Sequence, residues 1–444
     1  MASPWDRARK ELVAYPPIGH GPPRPRPAGF SPPLTLPQLS FGRLELGLAM
    51  ARTGAIRNPT QSWLRKRAAL AAAEVSDLVD DDTSGFELLP DLRYINGAER
   101  TALAGRIGAG ICDLLMQSMR YVWRDQASAL ISAKGPLADF AYTGPALGGH
   151  GVALAEAKGS TQSGGRKVTQ TLADKAYRRQ VGIHLGAATL AGPIVHGYAM
   201  GLRAPIGRPG FVCIAQSDIG GGSDVGGGHG DYSDPVGSNE EFILPARGVV
   251  HPMMALGNYA SLMALIGEDA CARALFNLRT GETSCEMAGE ALRQVAQQSA
   301  GDFVFGRVLG TLSPYAGIRT AVHVAPVLAL AEFLVRARPG DLVEQYVELP
   351  ILRPQAGDEQ FVQCPDGLAG FAISREEALQ TEAKRPPGLF DGQAETLPVM
   401  KQSDVGVSFD VLRTMVRPEM ESRLLKLASP ERLDALTKLL TREI

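Results

Sequence analysis

The sequence predicts an α/β protein: a mixed central sheet flanked by helices, followed by a largely helical α+β C-terminal region. Three observations carry this. Short apolar runs bounded by glycine recur at Val152–Ala155, Ile194–Leu202 and Phe211–Ala215, as buried strands do. Segments with apolar residues every three or four positions lie between them. The resulting order over residues 96–218 is helix, strand, strand, helix, strand, strand, which folds into layers of helix on sheet.

Taken in order, residues 1–40 form a Pro-rich N-terminal arm. Its run from Pro16 to Pro27 excludes helix and central strand, and predicts an extended arm wrapped on the surface or on a partner subunit. Residues 41–95 are a mixed helical segment. Gln61–Glu74 reads as a helix carrying Arg65-Lys66-Arg67, and Asp80-Asp81-Asp82 as a turn. A long helix starts at Asn96, with Glu99 completing a capping box. Leu103, Ile107, Ile111, Leu114, Leu115, Ser118 and Val122 follow helical spacing. Gly105, Gly108 and Gly110 imply close packing on another backbone. Strands are expected at Leu137–Thr143 and Val152–Lys158, joined as a hairpin by Gly144–His150. A helix at Gln170–Leu185 follows, with Leu172, Ala176, Gln180 and Ile183 on its inner stripe. Ile194–Leu202 and Gly210–Ala215 are the next strands.

Residues 219–250 form a Gly-rich loop. Residues 251–444 form the C-terminal α+β region. Met253–Ile266, Asp269–Leu278, Ala288–Ser299 and Arg319–Val335 read as helices. Leu342–Leu352 and Gln360–Ser374 read as strands, the latter with a turn at Pro365-Asp366-Gly367. Ser408–Ile444 again has helical sequence.

A formal net charge of −2 provides no global basic field, so any nucleic-acid surface must be local. The five scattered cysteines, odd in number and without a Cys-x-x-Cys pair, disfavour disulfide and zinc frameworks. That points to a cytoplasmic protein. The longest apolar runs are broken by His, Pro or Glu and are too short to span a bilayer, so no membrane partner is expected.

The chemistry concentrates at Gly151–Ser160. Val152–Ala155 requires burial, and the strand then presents Glu156 and Lys158 on one face. A carboxylate and an amine at a buried strand end need pairing or a metal. The tripeptide alone is uninformative, because Glu382-Ala383-Lys384 repeats it in a charged stretch leading to Pro386-Pro387. The context differs at Glu156. Asp139 lies one strand earlier, so both acids can converge on one cation, and Mg²⁺ favours one or two carboxylates plus water. Lys158 supplies a charge to orient or deprotonate water. Gln180 points inward from the next helix and needs a partner. A simple ion pair where the strand leaves the core is the plain alternative.

This constellation, Asp139 followed by Glu156-Ala157-Lys158, resembles the PD-(D/E)xK nuclease superfamily, with its restriction-endonuclease-like fold. The resemblance covers about residues 96–216. Ala138 stands where the motif has Pro. The family core is a helix, three strands, a helix and a further strand. The resemblance implies that Asp139 and Glu156 hold Mg²⁺ or Mn²⁺ and that Lys158 activates water. One branch adds Gln-x-x-x-Tyr on the next helix; here Gln180 matches and His184 replaces Tyr. Many members place a Glu on the first helix, where this chain has Glu99 and Asp113. The implied function is a metal-dependent endonuclease cutting DNA in bacterial defence or restriction.

A second reading is a non-catalytic binding or scaffolding subunit of a larger assembly on the same fold. Its homo-oligomer or protein-partner contacts would run through the Pro-rich arm or the C-terminal region. A third is an unrelated phosphate-handling enzyme using Gly220–His229, although this loop lacks P-loop and dinucleotide spacing and reads best as a mobile surface loop. His229, Asp231 and Asp234 are its potential ligands. His184 and His196 read as satisfied core residues.

Overall fold

The computed structural model describes residues 9–24, 38–54, 78–80, 83–132, 135–147, 151–219, 248–309, 317–337, 343–345 and 361–373. Most of the Gly-rich loop, the Gln61–Glu74 segment, the bulk of Leu342–Leu352, Glu382-Ala383-Lys384 and Ser408–Ile444 lie outside them.

Chain order begins with β1 (Lys10–Ala14), β2 (Ile18–Arg24), β3 (Gln38–Phe41) and α1 (Arg43–Thr53). Helix α2 (Gly97–Ser118) follows, then β4 (Trp123–Gln126), β5 (Phe140–Thr143) and β6 (Val152–Ser160). Helix α3 (Arg166–Ala176), β7 (Ala188–Thr189), β8 (Gly192–Arg203) and β9 (Phe211–Ile219) complete the first half. Among the described residues these strands form one mixed sheet in the order β3-β1-β9-β8-β6-β5-β4, with β2 on β9 and β7 on β8. β6 and β8 are parallel, while β4, β5 and β6 are successively antiparallel.

The sheet is covered on both faces. Leu103, Ile107 and Ile111 of α2 share a core with Ala153, Ala155, Tyr198 and Met200. Ala173 and Ala176 of α3 share the other with Leu154, Ala199 and Ala215. Successive β6 residues therefore enter different cores, as the strand period of two requires, and Val152–Ala155 are all buried. Gly108 allows α2 to touch the backbone of β6: a Cβ there would lie 2.9 Å from Gly159 N. Asn96 caps α2, its Oδ1 accepting from the N–H of Ala98 (2.8 Å) and of Glu99 (3.1 Å), but the Glu99 side chain returns no bond among the described residues, so the expected capping box is only half formed.

The C-terminal part contains β10 (Gly248–Val250), α4 (Pro252–Ile266), α5 (Asp269–Thr280) and α6 (Cys285–Gln297). It continues with β11 (Phe303–Leu309), β12 (Gly317–His323), α7 (Val324–Arg336), β13 (Val343–Gln345), β14 (Phe361–Gln363) and β15 (Leu368–Ile373). Strands β11-β12-β15-β14 form an antiparallel sheet, and β10 pairs with β13. The β14–β15 turn falls at Pro365-Asp366-Gly367, where Gly367 has φ +90°.

A buried polar knot ties the two parts together. Arg52 Nη1 donates to both carboxylate oxygens of Asp113 (3.1 and 3.0 Å). Its Nη2 donates to Val122 O at 2.8 Å and pairs with Asp366 at 2.9 Å. Tyr142 O–H donates to Asp113 Oδ1 (2.8 Å). Asn258 of α4 donates to Asp366 (3.0 Å) and accepts from Arg124 N–H (3.0 Å). Arg279 of α5 pairs with Asp125 of β4 at 2.6 Å.

Several expectations are corrected. Arg319–His323 belongs to a strand; helix begins only at Val324, where His323 Nδ1 accepts from Ala325 N–H. Pro326 then falls in the first turn, where a missing N–H costs nothing. Helix α2 stops at Ser118, Arg120 turns the chain at φ 65°, and Val122 leads into β4. The arm does not merely wrap the surface: β1 is hydrogen-bonded on both sides, and Leu12 is wholly buried. β2, carrying Pro22 and Pro23, pairs with β9 alone. The strand expected from Leu137 begins at Phe140.

The helix expected at Gln170–Leu185 begins at Arg166, and from Tyr177 to Val181 it widens into a π turn. The extra residue shifts the phase of the inward stripe. Tyr177, Val181 and His184 face inward, and Ile183, expected inside, is exposed.

Candidate active site

Strands β5 and β6 pair with Phe140 opposite Ala155. One step further, Asp139 meets Glu156. Asp139 N–H donates to Glu156 Oε2 (2.9 Å), and Ala157 N–H donates to Asp139 Oδ2 (3.1 Å). The hairpin therefore closes with its two acids side by side. Glu156 Oε1 accepts from Lys158 Nζ in a close ion pair. Asp139 Oδ1 makes no hydrogen bond among the described residues. The Glu156 side chain is fully buried, that of Lys158 is 35% exposed, and Asp139 is exposed. The pair thus grades from the core outward to solvent.

This arrangement has an electrostatic consequence. Burial, and then the charge of Asp139, push the Glu156 carboxyl up from 4.5 to about 7, against the pull of Lys158. Two carboxylates facing one ammonium leave the site short of positive charge.

Local packing fixes the strand end. Gly159 is required by contact, because a Cβ there would stand 1.8 Å from Ala104 O of α2. On the opposite face, Gly201 lies beside Lys158, and a Cβ on it would meet Thr169 O at 3.1 Å. Helices on both sides therefore hold Glu156 and Lys158 in register.

Gln180 lies in the π turn. Its Nε2 donates to Leu137 O (3.2 Å), and His184 Nε2 stands 2.8 Å from Pro136 O. Both grip the backbone just before Asp139. Gln180 supports the site through that segment and forms no described hydrogen bond to either acid. His184 was expected to be a satisfied core residue and is one; its role in holding Pro136 was not legible. His196 is also buried, and burial lowers it to about 4. Of the first-helix acids, Asp113 is committed to Arg52 and Tyr142, and Glu99 sits at the helix start.

Arg203, at the end of β8 opposite Ser160, is buried and ties Ser160, Gln162 and Thr169 together, a structural role that sequence reasoning did not single out. Its only sequence signal was its place directly after the apolar run ending at Leu202.

Among the described residues, no group of three or more His, Cys, Asp or Glu side chains could hold a metal ion. The site offers two carboxylates. Also among the described residues, no helix is long and apolar enough to cross a membrane. The five cysteines are unpaired. Comparison with protein-family models, with curated proteins and with solved structures gives no match for this chain.

Proposed function

We propose that the chain is a metal-dependent endonuclease acting on DNA, with a restriction-endonuclease-like core in residues 96–218. One observation carries the reading. A fully buried Glu156 lies against Asp139, with its carboxyl raised to about 7 and Lys158 on the same face. A divalent cation would relieve this concentration of negative charge. Asp139 and Glu156 are the residues to hold it, and two carboxylates suit Mg²⁺ or Mn²⁺, which retain water and phosphate ligands. Such an ion would neutralise phosphodiester charge and make a water more acidic.

The chain's own groups do the rest. Lys158, partly exposed, orients the attacking water and offsets charge on the phosphate. Gln180 and His184 hold the Pro136-Leu137 backbone, and with it Asp139, at the correct depth. The order α2, β4-β5-β6, α3, β8 agrees with the helix, three strands, helix and strand of the superfamily, and supports the assignment. β4 supplies the third strand.

The second reading, a non-catalytic scaffold on the same fold, is favoured by a specific observation: both Glu156 oxygens already have donors. A cleavage assay on plasmid and linear DNA with Mg²⁺ or Mn²⁺ separates the two. Wild type is expected to cut, and Lys158→Ala to lose about 100-fold or more in rate while still binding DNA. Equal behaviour of the two proteins sinks the nuclease reading. Cation binding by calorimetry that persists in an Asp139→Ala, Glu156→Ala double variant would remove the assigned metal ligands.

A further inference from the structure

Leu154 shares a core with Ala173 and Ala176 of α3, and Glu156 and Lys158 follow Leu154 at the strand period of two. They therefore emerge on the α3 side of the sheet. The far end of the helix reaches the same place. Gln180, in the π turn, donates to Leu137 O (3.2 Å), two residues before Asp139. Arg178 and Arg179 immediately precede Gln180.

The outer face of this helix carries a concentration of positive charge. Between Arg166 and Val181 stand five cations, Arg166, Lys167, Lys175, Arg178 and Arg179, against one acid, Asp174, in a chain whose net charge is −2. All five cations are exposed. Lys167, Thr171, Lys175 and Arg178 fall at helical spacing, on one stripe about 16 Å long. Helices α5 and α6 mix the signs instead: Asp269 with Arg273, and Glu286 and Glu290 with Arg293.

The stripe is not neutralised from within. Asp174 Oδ1 is shared between His20 Nδ1 (3.0 Å) and Arg178 Nε (2.8 Å), while Lys167, Lys175 and Arg179 form no described ion pair. Like charges at this spacing weaken a helix. Arg166 and Lys167 also stand at the helix start, where the dipole disfavours cations. The charge therefore works against the helix that bears it, and a polyanion laid along the stripe would relieve the repulsion.

The partner that fits is a nucleic-acid duplex rather than a lipid surface. Lying in lipid needs a free apolar face, and that of α3 is packed on the sheet. Thr169, Ala173 and Ala176 are buried, and Val168 is the one exposed large apolar side chain of the helix. A duplex carries one charge per about 1.7 Å of its axis, so the stripe spans several phosphates. The candidate site needs such support, because Asp139 and Glu156 repel a phosphodiester until a cation arrives.

We propose that the outer face of α3 and its π turn, through Lys167, Lys175, Arg178 and Arg179, is the surface on which the chain binds the phosphate backbone of a duplex. That this duplex is then cut at Asp139 and Glu156 rests on the nuclease reading; its binding to α3 does not.

The test uses the full chain in EDTA, with a short DNA duplex followed by fluorescence anisotropy across a salt series. The triple variant Lys167→Gln, Lys175→Gln, Arg179→Gln changes three exposed side chains. It is expected to weaken duplex binding about tenfold or more, and to reduce the slope of log affinity against log salt by about two to three. A control triple, Arg93→Gln, Arg273→Gln, Arg336→Gln, removes the same charge from exposed positions on other elements, and should bind as wild type does. If wild type does not bind duplex, or the α3 variant binds like the control, the surface is overturned whatever the cleavage result. If duplex binding depends on α3 yet the chain does not cut with Mg²⁺, the nuclease reading fails and the surface stands. Duplex binding retained by the α3 variant, with loss of binding to phosphatidylserine vesicles, marks a lipid surface and overturns the proposal. Should the α3 variant not fold, acetylation of wild-type lysines decides: duplex is expected to protect Lys167 and Lys175, and equal modification with and without duplex overturns the surface.

Discussion

Glu156→Gln removes a buried charge at nearly constant volume, and is expected to stabilise the metal-free protein at alkaline pH. The carboxyl stands at about 7 in the fold, against 4.5 ordinarily. The native state therefore keeps its proton after the unfolded chain has lost its own. Between pH 4.5 and about 7 the native state binds more protons, so wild-type stability falls as pH rises. Above that window both states are ionised and the penalty is constant, at about 3 kcal/mol. Gln removes the penalty and keeps an oxygen for Asp139 N–H, but loses the pair with Lys158. That loss is already contained in the raised value, since Lys158 pulls the carboxyl down. The net gain is about 3 kcal/mol at pH 8, vanishing near pH 4.5. Urea melts in EDTA at four pH values measure it. A difference independent of pH, or a variant weaker than wild type at pH 8, would refute the electrostatic account. Added Mg²⁺ gives a second readout: at ten times its Kd it should stabilise wild type by about 1.4 kcal/mol and the variant much less.

Three further substitutions probe the scaffold. Gly159→Ala puts a methyl into Ala104 O, and should cost about 3 kcal/mol in a chemical melt. Gly105→Ala, on the helix that carries Ala104 but facing open space, should instead gain about 0.5–1 kcal/mol. Arg52→Met strands Asp113 and Asp366 without their cation and should cost about 3–5 kcal/mol. A urea melt measures the loss, and wild type should give one transition by both tryptophan fluorescence and far-ultraviolet circular dichroism, because the knot spans both sheets.

The β5–β6 hairpin was legible because Val152–Ala155 is an unbroken apolar run and Gly144–His150 is rich in turn residues. Its pairing is what brings Asp139 to Glu156. β4 was not legible. Arg124 and Asp125 are charged, yet buried: the Arg124 guanidinium donates to Arg52 O, 72 residues away, and Arg279 pairs with Asp125 across 154 residues. No local pattern announces such partners. β12 was hidden for a different reason: Ala321–Val335 is apolar with either period, and His323 is not an ordinary helix cap. Ile183 was misplaced because the π turn adds a residue that periodicity cannot foresee. Arg203 was passed over because charge at a strand exit is common, and only its burial sets it apart.

The knot around Arg52 also dictates when the chain can finish folding. Asp113 is 61 residues downstream and Val122 is 70, so these two leave the ribosome early. Asp366 emerges far later, after α4 through β14 have been made. Until then the guanidinium lacks one of its two carboxylates, and α4 lacks the turn that Asn258 and Tyr259 grip. The half of the molecule bearing Glu156 is therefore completed only once a segment of the other half has been made. A product truncated before that turn carries every residue of the candidate site without the contact that closes its scaffold.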